Sequence, residues 1–533
     1  MEKLLSIQIT GDPIIGGHAA SSSEKEFRAT NPSTGEQLSP AFALATAADV
    51  DRACRLADEA FDVYRSASLD ARAAFLERIA DNVEAIGPEL LDRAVEETGL
   101  PGFRLQGEFT RTVNQLRLFA RVVRSGEWLD LRVDEAITDR QPLPRPDIRL
   151  RQIGLGPVAI FGSSNFPLAF SVAGGDTASA LAAGCPVVVK GHLAHPGTGE
   201  LAGRAVRKAV IDSGLPEGVF ALLPGANETG AVLVAHPAIK AVGFTGSRAG
   251  GIALCEIAAR RKEPIPVYAE MSSVNPVFLF PAALKKRTDE LAAGFVGSLT
   301  VGAGQLCTNP GILVAVDGED LNAFVESSAQ LVAKTEAGPM LTPGIHAAFD
   351  RGVQTLYGHS GVRRVAVGKS SGEVNRSPAT FFETSVPEFL SDPHLAEEVF
   401  GASSLLIRCA NLDEFVELAE SLEGQLTATL HIDEQDYSHA SRLVPVLERK
   451  VGRILANGWP TGVEVSDAMV HGGPFPATSD SRTTSVGTMA IRRFLRPVSY
   501  QNLPGQLLPR ELAPESVESL PRIANGIRVS RSG

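Results

Sequence analysis

The sequence predicts an α/β protein built on two successive sheets, with helices between the strands. Between residues 156 and 271, short apolar runs alternate with helical segments, which is typical of buried parallel strands joined by crossover helices. The same alternation resumes from residue 275 to about 470. Two other stretches, 148–153 and 490–500, alternate apolar and polar side chains, as half-exposed strands do. We therefore expect two α/β regions and an additional arm of strands.

The individual elements follow from local patterns, taken in chain order. A helical period dominates before the first sheet, with Thr46 as the candidate N-cap of the first helix. Further helices are predicted at 71–86, 88–97 and about 104–124. The apolar runs that predict parallel strands in the first sheet are 157–161, 186–190, 219–223, 240–244 and 266–270. The second region is predicted to contain helices at 289–300 and 322–334, and strands at 311–316 and 403–407. The tail after Asn502 has scattered Pro and Ser and is expected to be only partly ordered.

Composition argues against several classes of partner. The 533 residues are 44% hydrophobic and 21% charged, an ordinary balance for a globular protein. The net charge is −12 and no basic stretch suits a phosphate backbone, so nucleic acid is not an expected partner. The apolar runs are too short for a membrane span, and the residues after Met1 do not form a signal sequence. We therefore expect a cytoplasmic protein without a membrane partner.

The cysteines are few and scattered. Their sparse, odd number and the lack of a CxxC pair fit free thiols in a reducing compartment. The same spacing indicates no metal site. The five positions are Cys54, Cys185, Cys255, Cys307 and Cys409.

One of these, Cys307, lies in a stretch suited to a nucleophile. It ends the small-residue run Val301-Gly-Ala-Gly-Gln-Leu and precedes Thr-Asn-Pro-Gly, a turn sequence. A thiol held beside exposed backbone N–H groups is a plausible nucleophile. Residue type alone favours a buried structural cysteine. The assignment therefore depends on other parts of the chain.

Three other positions offer complementary groups. Glu270 ends an apolar run, where a carboxylate is costly unless it is paired or used, and it is a candidate general base with a raised pKa. Asn165 follows the run 157–161, in a loop where its amide can donate to an oxyanion. The segment 243–251 joins a strand to a helix and suits a phosphate group, although it is not GxGxxG. Each also has an ordinary explanation, as a salt-bridge partner, a turn residue and a tight turn.

Together these residues resemble motifs of the aldehyde dehydrogenase superfamily, in the family's order and over nearly the whole chain. The matching segments are Ser164-Asn-Phe-Pro-Leu168, Val189-Lys190, Phe244-Thr-Gly-Ser247, Glu270 with the following Met-Ser-Ser, Gly304-Gln-Leu-Cys307 and Glu397-Glu-Val-Phe-Gly401. Ser164 and Ala402 depart from the family's pattern, which has Trp and Pro at those places. The resemblance implies an aldehyde dehydrogenase-like α/β fold. Its expected parts are a Rossmann-type cofactor domain (1–130 and 156–274), an α/β catalytic domain (275–475), a β-arm for oligomerisation (131–155 and 488–503) and a C-terminal tail (504–533).

The resemblance also implies the chemistry, which is NAD(P)-dependent oxidation of an aldehyde to a carboxylate through a cysteine thioester. Cys307 is then the nucleophile, Asn165 and the Cys307 N–H donate to the oxyanion, and Glu270 activates water. Leu193 stands where NAD-preferring members often have Glu, so NADP is expected. NAD stays possible, because Glu228 lies in the loop after the predicted strand 219–223. The residues expected to bind the cofactor are Lys190, His192, Gly225, Gly246, Ser247, Gly251, Glu398 and Phe400.

A narrower likeness concerns the substrate. Residues 169–177, 457–465 and 469–487 are similar to the bacterial α-ketoglutaric semialdehyde (2,5-dioxovalerate) dehydrogenase group. The implied reaction is 2,5-dioxopentanoate to 2-oxoglutarate, whose substrate carboxylate suits an arginine in the entry tunnel. Of the arginines on helix 104–124 we favour Arg111 over Arg104 and Arg117, although each could be a solvated helix arginine. The expected apolar wall consists of Phe170, Trp459 and Pro460.

Several alternatives stay open at this point. The same wall would suit a medium- or long-chain fatty aldehyde oxidised with NADP, which is the nearest rival. A thioester hydrolase would use the same thiol and oxyanion donors, and a catalytically silent binding or structural protein would keep the fold alone. The exposed strands, together with the family likeness, imply a homodimer or homotetramer.

Overall fold

The computed structural model describes residues 8–17 and 25–530, so the residues after Met1 on which the targeting prediction rests lie outside it. Three short strands come first: β1 (Ile14–Ile15), β2 (Glu26–Thr30) and β3 (Gln37–Ala43). Four helices follow: α1 (Ala47–Arg65), α2 (Leu69–Ala85), α3 (Gly87–Thr98) and α4 (Gly102–Ser125). Thr46 caps α1 through a reciprocal capping box with Asp49, which confirms the predicted N-cap. Strands β4 (Leu131–Asp134) and β5 (Ile148–Gly154) complete this part of the chain.

A parallel sheet forms the next unit. Its strands are β6 (Val158–Phe161), β7 (Val187–Gly191), β8 (Phe220–Pro224), β9 (Ala241–Thr245) and β10 (Val267–Glu270), and its helices are α5 (Gly175–Ala182), α6 (Pro196–Asp212), α7 (Asn227–Ala235) and α8 (Arg248–Ala259). The strand order is β1-β8-β7-β6-β9-β10, with β1 antiparallel. Apolar clusters cover both faces, which explains why the strands read as continuous apolar runs. From β6 the chain adds β7 and β8 on one side and then β9 and β10 on the other. The direction of winding therefore reverses between β6 and β9, which makes this the topological switch point.

The second sheet has seven strands in the order β14-β16-β17-β12-β11-β18-β19, and the edge strand β14 is antiparallel. The strands in this region are β11 (Val277–Leu279), β12 (Ile312–Val316), β13 (Gly338–Pro339), β14 (Arg363–Val367), β15 (Arg376–Ser377), β16 (Thr380–Ser385), β17 (Ser403–Cys409), β18 (Gln425–His431) and β19 (Val451–Ala456). The helices are α9 (Pro281–Thr300), α10 (Glu319–Val332), α11 (Pro343–Gly358), α12 (Val386–Ser391), α13 (Asp413–Ser421) and α14 (Tyr437–Leu447). The predicted second α/β region is confirmed.

The arm is a third sheet, and here two predictions are wrong. Its strands are β20 (Leu495–Gln501), β21 (Arg522–Ala524) and β22 (Ile527–Val529), with helix α15 (Pro514–Val517) between β20 and β21. The order is β20-β5-β4-β21-β22, so the tail adds two strands to the arm instead of being partly ordered. The strand predicted from residue 490 begins only at Leu495, because Ile491 and Phe494 lie in a 3₁₀ turn buried in the core of the first sheet.

None of the helices in the described ranges combines the length and the apolar character that a membrane crossing requires.

Candidate active site

Cys307 lies just beyond the end of α9, on a turn with left-handed backbone. Gly302, Ala303 and Gly304 have φ values of 60°, 54° and 70°. A Cβ added at Gly304 would lie 2.3 Å from the backbone nitrogen of Ala402, so only glycine permits this close approach. The small residues before the cysteine therefore allow the backbone to make a tight turn against residue 402.

Asn275 fixes the loop from the other side. Its Nδ2 donates to the carbonyl oxygens of Cys307 and Asn309, each at 2.9 Å. The side chain is fully buried, and its Oδ1 accepts hydrogen bonds from Ser273 and Thr427. Sequence analysis missed this residue, because an Asn in a short loop carries no distinctive signal.

Asn165 approaches the same loop from the end of β6. Its Nδ2 donates to the carbonyl oxygen of Gln305 at 3.0 Å, which uses one of the two amide hydrogens. Gln305 is itself locked by hydrogen bonds between its side chain and the backbone of Gly302, Pro339 and Leu341. Among the described residues, no hydrogen bond uses the backbone N–H of Cys307. An amide hydrogen and a backbone N–H are thus available beside the thiol.

Glu270 and a histidine that sequence analysis missed complete the cluster. The Nε2 of His471 lies 3.4 Å from Cys307 Sγ and 2.9 Å from Glu270 Oε1. Ser485 donates to Glu270 Oε2 at 2.7 Å. Ligand-type atoms of Glu270, Cys307 and His471 lie within 4.8 Å of one another, a grouping that the sequence spacing does not reveal. His471 and Glu270 are both almost completely buried.

The pKa values of this cluster reflect burial and mutual contact. Burial raises the pKa of the Cys307 thiol well above its ordinary value, and the Glu270 carboxylate raises it further. Burial also raises the pKa of Glu270, but the His471 ring and hydrogen bonds from His471, Ser485 and Cys307 outweigh it, so this pKa lies below its usual value. The predicted raised pKa of Glu270 is therefore wrong. The resting thiol needs a base, and two candidates touch it.

Two cavities meet at Cys307. The larger, of about 920 Å³, lies beside the carboxyl ends of β6, β7, β9 and β10, where an open parallel sheet binds ligands. The smaller, of about 250 Å³, is lined by α4 and by segments near residues 166–170 and 461–471. Cys307 belongs to both walls, whereas Asn165 and Glu270 line the larger cavity and His471 the smaller one.

Most of the predicted cofactor residues line the larger cavity, namely Lys190, His192, Gly246, Ser247, Glu398 and Phe400. Gly225 and Gly251 do not belong to its wall as described. A Cβ at Gly251 would lie 2.6 Å from the sulfur of Met271, so this glycine serves the packing of α8 against the sheet. A Cβ at Gly225 would collide with Thr229 at 2.5 Å, so a local turn explains it.

A nicotinamide nucleotide fits the groups of this cavity. Burial lowers the pKa of Lys190 to about 8. Burial raises the pKa of Glu398 to about 8, and the nearby Glu270 raises it as well. Ser247 caps α8 through Gly250 N, at a helix start that can bind phosphate. The wall of the larger cavity thus combines Lys190, the N-terminus of α8 and the carboxyl group of Glu398.

The predicted substrate residues divide into two groups. Arg111 and Phe170 line the smaller cavity, which we call the tunnel, and the guanidinium of Arg111 lies 5.4 Å above the Phe170 ring. Trp459 and Pro460 do not line it in the described structure. Trp459 packs on Phe295, at 5.9 Å, and the wall is formed by the next residues, 461–463. Trp459 is partly buried and packs against the apolar core of the second sheet, so the assignment of Trp459 and Pro460 to the substrate wall stays a prediction.

The three candidate arginines on α4 have different surroundings. Arg117 lies at the surface and pairs with Asp81 and Glu84 at 3.0 and 2.6 Å. Arg111 Nη1 donates to the carbonyl of Val463 at 2.7 Å, whereas its Nε and Nη2 are buried without a partner among the described residues. Arg104 Nη2 donates to the carbonyl of Asn165 at 2.7 Å, and its Nη1 is likewise buried and unpartnered. The tunnel wall therefore carries two guanidinium groups with unused donors.

Comparison with known proteins decides the family. Residues 18–475 match the profile described as "Aldehyde dehydrogenase family". The chain belongs to this family. It is 57% identical over 522 residues to alpha-ketoglutaric semialdehyde dehydrogenase 2 of Azospirillum brasilense, covering 98% of this chain and 99% of that one. It is 44% identical over 518 residues to alpha-ketoglutaric semialdehyde dehydrogenase of Acinetobacter baylyi, covering 97% and 98%.

Structural comparison agrees with the family assignment. The fold superimposes on betaine aldehyde dehydrogenase of Staphylococcus aureus in complex with NAD+, with a TM-score of 0.80 at 20% identity, covering 94% of this chain and 96% of that one. The predicted fold class is confirmed. The chain is an aldehyde dehydrogenase, its substrate is an aldehyde and its oxidant is NAD(P). The expectation of an enzyme is confirmed against that of a catalytically silent binding or structural protein.

Proposed function

We propose that this aldehyde dehydrogenase oxidises 2,5-dioxopentanoate to 2-oxoglutarate. The observation that carries the proposal is the pair of arginines on the tunnel wall beside Cys307, Arg104 and Arg111, each of which keeps a buried N–H group without a partner among the described residues. A substrate carboxylate would form charge-assisted hydrogen bonds with these donors. The names of the two relatives at 57% and 44% identity support the same substrate.

A fatty aldehyde fits the tunnel less well. An alkyl chain offers no acceptor, so the unpartnered donors of Arg104 and Arg111 would stay unsatisfied in a dry site, at roughly 1–3 kcal/mol for each group. The tunnel of about 250 Å³ also suits a short substrate. The guanidinium of Arg104 lies 5.1 Å from the centre of the Phe166 ring, and that of Arg111 lies 5.4 Å from the centre of the Phe170 ring. These cation–π contacts help to orient the two arginines. The wall is therefore less apolar than sequence analysis suggested.

The proposed steps use the residues around the thiol. A base, His471 or Glu270, takes the proton of Cys307, and the sulfur attacks the aldehyde carbon. Asn165 Nδ2 and the Cys307 N–H donate to the oxyanion, each contributing roughly 3 kcal/mol. Lys190 and the N-terminus of α8 would hold a nicotinamide nucleotide in the larger cavity, which would supply the hydride acceptor, and Cys307 would then carry the acyl group as a thioester. Glu270 then activates the water that releases the carboxylate and restores the thiol.

We further propose that NADP is accepted as the cofactor, with NAD also possible. Leu193 puts no carboxylate near Lys190 and His192, and Glu228 is exposed in the first turn of α7, outside the described wall of the cavity. Lys190, a partly buried lysine on the cavity wall, can pair with a 2′-phosphate. We expect kcat/KM to be at least equal for NADP and NAD when reduced cofactor is followed by absorbance. A strong kinetic preference for NAD would contradict the proposal.

We also propose that the arm joins copies of the chain into a homodimer or homotetramer. The arm sheet ends in two edge strands, β20 and β22, each with one unpaired side in the described chain. Unpaired edges are usually covered by a partner strand. The side chain of Ile527 on β22 is 70% exposed, so this edge would gain from being covered.

Replacing Arg111 by Ala is the test of the substrate. We expect KM for 2,5-dioxopentanoate to rise about 10- to 100-fold, because the variant lacks a charge-assisted contact worth roughly 1.5–3 kcal/mol. The KM for pentanal should change little. Steady-state kinetics on 2,5-dioxopentanoate, succinic semialdehyde and a medium-chain alkanal give both values.

Arg117→Ala is the matched control for this experiment. It removes an arginine from the same helix, but one that pairs with Asp81 and Glu84 at the surface. Its KM values should equal those of the wild type. If the wild type prefers the alkanal by a large factor in kcat/KM, the proposed substrate is wrong and the fatty aldehyde alternative takes its place.

A further inference from the structure

Glu108 is a buried carboxylate in the tunnel wall that the proposed chemistry does not use. It lies on α4 between Arg104 and Arg111, at helical spacings that place the three side chains on one face. Its Oε1 accepts hydrogen bonds from the backbone N–H groups of Leu168 and Ala169 at 2.8 and 2.9 Å. Its Oε2 is buried and has no partner among the described residues. One oxygen is thus structural, and the other lacks a hydrogen-bond partner in a residue that lines the tunnel.

An ionised Glu108 would oppose the substrate proposed above. The carboxylate of 2,5-dioxopentanoate, held by Arg104 and Arg111, would lie near the free oxygen of Glu108 in a site from which water is excluded. Two carboxylates in such a site do not both stay ionised, because the repulsion raises the pKa of one of them. A protonated Glu108 removes the repulsion and gains an O–H donor, which suits the keto oxygen of the substrate.

We propose that Glu108 is a specificity residue, which takes up one proton when an aldehyde bearing a carboxylate enters the tunnel and then donates a hydrogen bond to the polar end of that substrate. The inference rests on the proposed function. It assigns Glu108 no part in bond making at Cys307. The proton comes from solvent on binding and returns to solvent when the product leaves.

The charged surroundings of Glu108 support this exchange. Burial raises the pKa of Glu108 to about 6, although the two backbone N–H groups, Arg104 and Arg111 lower it. Cys307 and His471 face the tunnel from other elements. Glu270 and Glu464 act through Arg111, because their negative charges raise the pKa of its guanidinium. Glu108 can therefore take up a proton near neutral pH, because the carboxylate of the bound substrate would raise its pKa further.

The sign of the pH dependence follows from this linkage. The free enzyme carries the proton on Glu108 below about pH 6 and loses it above that value. Binding of the carboxylate substrate requires the proton, so its kcat/KM falls roughly tenfold per pH unit above the pKa of the free enzyme. A neutral aldehyde of the same length does not require it. The ratio of the two kcat/KM values cancels every pH effect that the two substrates share, including those on the attack by Cys307.

The experiment measures this ratio, 2,5-dioxopentanoate over pentanal, from pH 5.5 to 8.5. In the wild type we expect it to fall at least tenfold between pH 6.5 and 8. In Glu108→Gln we expect a flat ratio, because the amide donates without a titrating proton. The Gln side chain also keeps an acceptor for Leu168 and Ala169 N–H, so the loop stays in place. Glu89→Gln, an exposed glutamate on α3, should behave as the wild type.

Calorimetry supplies an independent reading. Binding of 2,5-dioxopentanoate to Cys307→Ala with cofactor present is measured at pH 7.5 in two buffers of different ionisation enthalpy. We expect uptake of about one proton, and none in Cys307→Ala/Glu108→Gln. If the wild type does not favour 2,5-dioxopentanoate over pentanal at any pH, the proposed function fails. If it does, but the ratio is independent of pH or no proton is taken up, the role of Glu108 is overturned and the proposed function stands.

Discussion

Replacing Cys307 by Ser should abolish the formation of reduced cofactor, with a loss in kcat of at least about 10³-fold. The alkoxide of serine is far harder to form than a thiolate, and the burial that already raises the pKa of the thiol offers it no help. The hydride can leave only from a carbon that the nucleophile has attacked. Absorbance at the band of the reduced cofactor, with saturating aldehyde, measures the effect.

The cofactor should still bind to Cys307→Ser, because the residues expected to hold it lie along the rest of the larger cavity. Titration of the variant with NADP, followed by calorimetry, checks this. Cys255→Ser is the matched control, since it changes a half-buried cysteine on α8 away from both cavity walls. Near-normal turnover by Cys307→Ser would refute the assignment of the nucleophile.

Replacing His471 by Gln should reduce the rate of the first turnover by about 10²- to 10⁴-fold, the usual contribution of a positioned base. His471 Nε2 lies 3.4 Å from the sulfur, and the thiol has a pKa well above its ordinary value, so attack depends on removal of its proton. Stopped-flow measurement of the burst of reduced cofactor isolates this step from release of the product.

Glu270→Gln separates the two bases. If Glu270 acts mainly on water, this variant should keep the burst of one equivalent of reduced cofactor and lose the steady-state rate, because the thioester accumulates. Loss of the burst in Glu270→Gln together with a normal burst in His471→Gln would reverse the two roles. Ser485→Ala removes one hydrogen bond to Glu270 Oε2 and should have a smaller effect than either variant.

The fold was accessible from the sequence where the burial pattern is simple. The five parallel strands of the first sheet are apolar on both faces, so each reads as a short continuous run. The arm was harder to predict, since the alternation around Ile491 also suits a 3₁₀ turn with one face in the core. Strands β21 and β22 have three residues each and pair through the backbone, which leaves almost no pattern to detect.

The part of the candidate site that lies in recognisable sequence motifs could be predicted. Cys307, Glu270 and Asn165 lie together as expected, because each follows a recognisable strand or turn. His471 was missed because a single histidine shows its role only when the chain brings it to the sulfur. That omission also produced the wrong direction for the pKa of Glu270, which His471 lowers. Trp459 shows a different difficulty, since an aromatic residue predicted for the substrate wall is partly buried and packs against the core of the second sheet.

The backbone at Gly304 rests on the amide of Ala402, and Asn309 Nδ2 donates to the carbonyl of Gly401 at 3.1 Å. Glu398 and Phe400, on the wall of the larger cavity, belong to the same segment as Gly401. The backbone at Gly304 therefore contacts the backbone of Ala402 directly. The loop that carries the sulfur and the segment that lines the larger cavity are thus coupled, so a displacement of the segment would also displace Cys307.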